Sequence, residues 1–207
     1  MSDLPSDVDP AFEATVRGRL DAIEARLHET AAAQSAFVTD AAQHHLAAGG
    51  KRFRPMLVVL ASQLFDGADA SAIDRAAVVM ELTHVASLYH DDVMDEAEVR
   101  RGVPSANSRW DNTVAIMVGD FLFARASSTV ATLGTEYVYL QAETFARLVQ
   151  GQIAETRGVQ PDEDPLAHYL SVIADKTGSL IAASARFGGM VCGAPAEVLD
   201  ALAAYGE

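Results

Sequence analysis

From Ser71 to about Asp95 apolar side chains fill nearly every helical position: Ala76, Ala77, Val78, Val79, Met80, Leu82, Val85, Ala86 and Leu88. Ser71 and Asp74 stand at capping-box spacing, which starts a helix there. A helix that is apolar almost all round needs neighbours on every side, so this stretch predicts the centre of a helical bundle. Its end is the opposite in character. His90-Asp91-Asp92-Val93-Met94-Asp95 is followed by Arg100-Arg101-Gly102. Asp91 and Asp95 share a helical face, and Asp92 lies about 100° to one side. Like charges so close are tolerated when solvated or when a cation neutralises them. All-oxygen ligation suits Mg2+, which takes one or two carboxylates plus substrate phosphates, and arginine is well shaped for phosphate oxygens. The spacing therefore suggests a diphosphate held by magnesium on one side and guanidinium on the other. A solvated acidic helix end with a basic loop after it fits the same residues. Glu81 and His84 interrupt the apolar stretch. His84 lies seven residues before Asp91, on nearly the same face, which points to substrate contact rather than a satisfied core histidine.

Gly49-Gly50-Lys51-Arg52-Phe53-Arg54-Pro55 closes one helical pattern and opens another. Gly49-Gly50 suits a helix end and Pro55 a first turn. Three cations are thus delivered beside the free N–H groups of a helix N-terminus, a general anion site. The motifs G-G-K-R-F-R-P, H-x(6)-D-D-x-x-D-x(4)-R-R-G and Lys176-Thr177, in this order and spacing, resemble the trans-polyprenyl diphosphate synthases over nearly the whole chain.

The resemblance implies an all-α, isoprenoid-synthase-type helical bundle that condenses isopentenyl diphosphate head-to-tail with an allylic diphosphate. It implies that Lys51, Arg54, His84 and Arg101 hold the isopentenyl diphosphate. Asp91 and Asp92, with Asp95 assisting, would bind Mg2+ on the allylic diphosphate. Arg100 and Lys176 would contact that diphosphate, and Thr177 would line the reacting carbon. The family carries a second aspartate-rich motif on a later helix, preceded by Phe-Gln. This sequence stops at Ala203-Ala204-Tyr205-Gly206-Glu207, so the resemblance implies a bundle truncated at its C-terminus. Two other readings stand beside it. A class I terpene cyclase also uses D-D-x-x-D, but has no second diphosphate to occupy the cationic loop. A non-catalytic partner subunit of a full-length synthase fits the missing motif, but has no need of clustered carboxylates. The family also implies a homodimer through the helices at about 113–156.

The remaining sequence is consistent with one domain over 10–207 after a disordered lead of 1–9. Of 207 residues 50% are hydrophobic, with little Pro, and strand-like alternation is absent. The net charge of −14, from 29 acidic against 15 basic residues, argues against nucleic acid and anionic membrane as partners. A single cysteine, Cys192, forbids an internal disulfide and suits a reducing cytoplasm. The acidic N-terminus lacks the features of a signal peptide, and no apolar run reaches the roughly 18 uncharged residues of a membrane span. Further helices are expected at about Pro10–Glu29, Gln34–Ala48 with a surface His44-His45 pair, Pro55–Phe65, Thr113–Leu133 and Glu136–Thr156. Another runs over Leu166–Met190, kinked at Gly178, and a last one follows Pro195. Residues 98–112 read as a loop. The residues one turn below Asp91, Ser87 and Ala86, are small, while Tyr89 points away. The family closes its product pocket with aromatics at the first two positions, so the resemblance implies geranylgeranyl diphosphate or a longer product.

Overall fold

The computed structural model describes residues 9–207, and the expected lead lies almost wholly outside them. The all-α expectation holds. Ten α-helices occur among the described residues: α1 (Pro10–Ala31), α2 (Ala36–Ala47), α3 (Phe53–Ala61), α4 (Ala70–Met94), α5 (Ala106–Arg109), α6 (Asn112–Val130), α7 (Thr135–Arg157), α8 (Pro165–Ile173), α9 (Ser179–Val191) and α10 (Ala196–Gly206). A five-residue π-helical turn, Ala174–Gly178, joins α8 to α9, where the sequence suggested a kink at Gly178. The loop expected over 98–112 contains a two-residue hairpin, β1 (Val99–Arg100) antiparallel to β2 (Val103–Pro104), and then α5.

Helix α4 is the axis of the bundle. Ala76, Ala77, Val78, Val79, Met80 and Leu82 are fully buried, as its all-round apolarity demands. Helix α6 packs along its length, and α1, α3 and α9 complete its surroundings. Its start differs from the capping-box reading. Asp69 caps the helix, accepting from the amides of Ser71 at 3.3 Å and Ala72 at 3.0 Å. Asp74 is instead engaged by Arg19 at 3.1 Å, tying α1 to α4. An aspartate with two amides in reach takes the cap from the serine two residues later.

The turn between α2 and α3 positions the cationic loop. Ala48 caps α2, and Gly49 follows in the left-handed region at φ 86°, a conformation natural to glycine. Helix α3 begins at Phe53, two residues before the sequence suggested. Pro55 therefore stands within the first turn, where no amide partner is needed. Arg52 caps α3 at φ 47°, an uncommon setting for a side chain of this size. Helices α3 and α9 cross closely at Gly188, where a Cβ would meet the Val58 carbonyl and lie 2.7 Å from the Ala61 Cβ.

Helix α6, at 19 residues, is by length and composition long and apolar enough to cross a membrane, although Gly119-Asp120 stops its uncharged run in the sequence. Its buried side, Ala115, Val118, Leu122, Ala126 and Val130, packs into the bundle core. The outward sides of α6 and α7 carry exposed Met117, Val138 and Tyr139.

Candidate active site

The last turn of α4 sorts its three carboxylates into two kinds. Asp92 turns inward and is fully buried. Its Oδ1 accepts from Arg100 Nε at 2.7 Å and lies 2.5 Å from Nη2. Its Oδ2 is 2.9 Å from His45 Nε2. Among the described residues, the Asp91 and Asp95 carboxylates accept no hydrogen bond and enter no ion pair. Asp91 is half-buried: burial pushes its carboxyl up, and the charge of Lys176 opposes this. Asp95 is exposed. The sequence expectation made Asp91 and Asp92 the principal ligands and Asp95 an assistant. The structure instead gives Asp92 to Arg100 and His45. Asp91 and Asp95 remain as the pair with available oxygens, one turn apart. Among the described residues no three His, Cys, Asp or Glu side chains gather into a ready cation site. Two unpartnered carboxylates on one helix face still fit Mg2+, because that ion takes few protein ligands and completes its shell with phosphate and water.

Across the end of α4 lies a cationic basin. Arg52 is held by Glu24 at 2.6 and 2.7 Å, by Glu81 at 3.3 Å and by the Leu46 carbonyl at 2.9 Å, so it braces the loop. Arg101, at φ 55°, donates to the carbonyls of His45, at 3.0 Å, and Gly49. A Cβ at Gly50 would come within 2.8 Å of Arg52 Nη1 and 3.0 Å of Arg101 Nη1, so glycine lets two guanidiniums pack over the chain. Arg54 is the side chain with capacity left. Its Nε is buried without a hydrogen-bond partner, and burial lowers its pKa against the pull of Glu81. Burial pushes Glu81 up, opposed by Arg52 and Arg54. Burial also drives His84 well below its ordinary range, and Arg54, Arg101 and Arg100 add to this, so it stays neutral. Lys51 is exposed at the rim. A buried donor without an acceptor is costly, and a multivalent anion would satisfy it.

Lys176 and Thr177 sit on the π-helical turn. Lys176 pairs with Glu155 of α7, and Thr177 is exposed. Beside Asp91 opens an apolar cavity of about 390 Å³, lined by Ser87, Met94, Ile116, Phe145, Leu148 and Ile153 among others. The Ser87 hydroxyl is turned to the His84 carbonyl at 2.8 Å. The Phe145 ring lies against Phe123, with centroids 4.2 Å apart. Tyr89 points the other way, as its spacing predicted, and donates to the Ala41 carbonyl at 2.5 Å. Ala86 is buried in the core and does not line this cavity.

His45 is the residue the sequence reading missed. It was placed on the surface, yet it is fully buried beneath the helix end. Burial pushes its ring down to about 4, with Asp92 opposing, so it is neutral at neutral pH. The signal was present: Ala41, Ala42, His45 and Leu46 occupy one buried face of α2.

Residues 35–207 match the polyprenyl synthetase family model. The chain is 48% identical to nonaprenyl diphosphate synthase of Mycobacterium tuberculosis over 198 residues, covering 96% of this chain and 59% of that protein. It is 38% identical to heptaprenyl diphosphate synthase component 2 of Geobacillus stearothermophilus over 189 residues, 91% of this chain and 59% of the relative. The fold is similar to a crystal structure of geranylgeranyl pyrophosphate synthase from Corynebacterium glutamicum complexed with calcium and isoprenyl diphosphate. That match has a TM-score of 0.85 and 46% identity, and covers 96% of this chain and 60% of the other. The chain thus spans about three-fifths of the length of these relatives.

The neutral state of His84 has a consequence for stability. The unfolded chain takes up a proton on this histidine near pH 6.5 and the folded chain does not. Below that pH the unfolded state binds more protons, so stability falls as pH falls. Urea unfolding of His84→Gln is expected to show a shallower pH dependence between pH 6.5 and 5, by up to about 1.4 kcal/mol per pH unit. An unchanged slope would show that His84 protonates freely in the fold.

Proposed function

The chain belongs to the polyprenyl synthetase family, and from that premise we propose that it carries the part of a magnesium-dependent prenyltransferase that binds both diphosphates. The observation that supports this most is the pairing of two unlike anion sites at one helix end. Asp91 and Asp95, facing Arg100 and Lys176, suit an allylic diphosphate. Lys51, Arg54, His84 and Arg101 suit the diphosphate of the acceptor, isopentenyl diphosphate. The acceptor basin also argues against a terpene cyclase, which has a single diphosphate to bind.

Mg2+, bound through Asp91 and Asp95, would supply charge neutralisation for the leaving diphosphate. As the allylic C–O bond breaks, negative charge grows on the departing oxygen, and the donors that Arg100 and Lys176 keep beyond their contacts to Asp92 and Glu155 would stabilise it. The cavity walls of Ile116, Phe145, Leu148 and Ile153 keep water from the allylic cation. Arg54 and Lys51 hold the acceptor with its double bond toward that carbon, beside Thr177. A new C–C bond forms, and the proton lost from the acceptor passes to the released diphosphate. A reducing cytoplasm suits the one free cysteine, buried Cys192.

The reading is tested by calorimetry with a non-reactive allylic diphosphate analogue. The wild-type chain should bind it only with Mg2+ present, and the double substitution Asp91→Ala, Asp95→Ala should abolish binding. Unchanged affinity in that variant overturns the assignment. A non-catalytic partner subunit is the second reading, prompted by the relative named as a component. Binding that is indifferent to Mg2+ would favour it.

Two finer points belong to the same proposal. The small Ser87 on the cavity wall leaves room for a long tail and so favours geranylgeranyl diphosphate or longer. Ser87→Phe, in a form of the enzyme that turns over, should shorten the product resolved by chromatography; an unchanged product refutes the cavity as the tail's path. The exposed apolar sides of α6 and α7, with Met117 at 58% and Tyr139 at 68%, support a homodimer. Sedimentation velocity should return a dimer, and a monomer at tens of micromolar would count against it.

A further inference from the structure

His45 touches several parts of the site from beneath the end of α4. Its ring Nε2 lies 2.9 Å from Asp92 Oδ2. Its backbone carbonyl accepts from Arg101 Nη1 at 3.0 Å, and its backbone amide donates to the Tyr89 hydroxyl at 3.4 Å. The Tyr89 ring lies against the imidazole at 4.2 Å between centroids and closes it off from solvent. One residue of α2 therefore contacts the carboxylate that anchors Arg100, the arginine of the acceptor basin and the core side of α4. The imidazole–carboxylate contact is close but bent away from hydrogen-bond alignment, and neither ring nitrogen has another partner. A carboxylate only accepts, so the proton of the neutral ring belongs on Nε2. Such a contact is poorly placed to stabilise the fold and well placed to stop Asp92 from turning outward.

We propose that His45 is a positioning residue for metal-dependent diphosphate binding. Its ring holds Asp92 in the inward pose that fixes Arg100, leaving Asp91 and Asp95 to face the ion. The carbonyl of the same residue sets Arg101, so the two diphosphate sites share one support. This rests on the diphosphate reading above. Packing alone predicts something different: any apolar side chain of similar volume at position 45 would serve.

The test measures Mg2+-dependent binding of the non-reactive allylic diphosphate analogue by calorimetry. His45→Leu should weaken binding by about tenfold or more, as loss of an outer-shell partner does. His45→Gln, whose amide N–H reaches a similar point, should restore affinity to within about threefold of wild type on the same scale. In an Asp92→Asn background, His45→Leu should cost less than about twofold, because the two changes break one linkage. His45→Leu binding within about twofold of wild type would overturn the proposal, as would a full loss persisting in the Asp92→Asn background. If His45→Leu does not fold, His45→Asn replaces it in the cycle, since its shorter amide does not reach Oδ2. A wild-type chain that fails to bind the analogue refutes the diphosphate reading and this inference together. A binding wild type with an indifferent His45 variant refutes this inference alone.

Discussion

The site depends on a carboxylate that faces inward. Asp92 is fully buried at the end of the central helix, between Arg100 of the hairpin and His45 of α2. Withdrawing a carboxylate from water is unfavourable unless its oxygens are engaged, and removing one partner of such a pair costs about 3–5 kcal/mol. That penalty ties the hairpin to the end of α4, while His45 of α2 closes over the remaining oxygen. The hairpin cannot lift without leaving Asp92 unpaired, and Arg101, next to Arg100, is thereby set above the Gly49–Gly50 turn. Positive φ at Arg52, Glu96 and Arg101 is found at the joints of this arrangement. Residues held in such conformations persist where their surroundings over-determine them.

Around this anchor the charges are divided by availability. Arg52 and Arg100 are neutralised by carboxylates of the chain and act as braces. Among the described residues, Arg54 and Lys51 form no ion pair, and neither do Asp91 and Asp95. The free cations stand on the basin side and the free anions on the cavity side of the same helix end. On the proposed reading the two sites would hold their anions by different means, direct guanidinium contact on one side and an ion bridge on the other.

Much of this was legible in the sequence because it is local. The buried axis of α4 follows from Ala76 through Leu88, and the cationic loop from its glycines and Pro55. The direction of Tyr89 follows from its two-residue offset from Asp91. What was not legible depends on partners distant along the chain. Helical spacing places Asp92 to one side of Asp91, but whether that side meets water or core depends on α2 and the hairpin arriving there. His45 was misread for the same reason, because a pair of adjacent histidines looks polar until the neighbouring Ala41 and Ala42 are counted. The start of α4 was misplaced because Asp74 has a partner, Arg19, that lies 55 positions away.

The π-helical turn at Ala174–Gly178 resolves a conflict of phase. An α-helix advances each residue by a fixed rotation, so a segment that must face α7 at one end and the core at the other has no freedom to adjust. The wider turn absorbs one extra residue and lets the two ends be set independently. Within it, Asp175 reaches Arg147 at 2.9 Å and Lys176 reaches Glu155, both on α7. After it, Leu180, Ala183 and Phe187 lie in the core. Lys176 thus reaches α7 without rotating the apolar side of α9 away from α3. The helix behaves as two screws on a common axis, cut with different starting threads. Deleting any one residue of the turn would rejoin the threads, and one of the two faces would be lost.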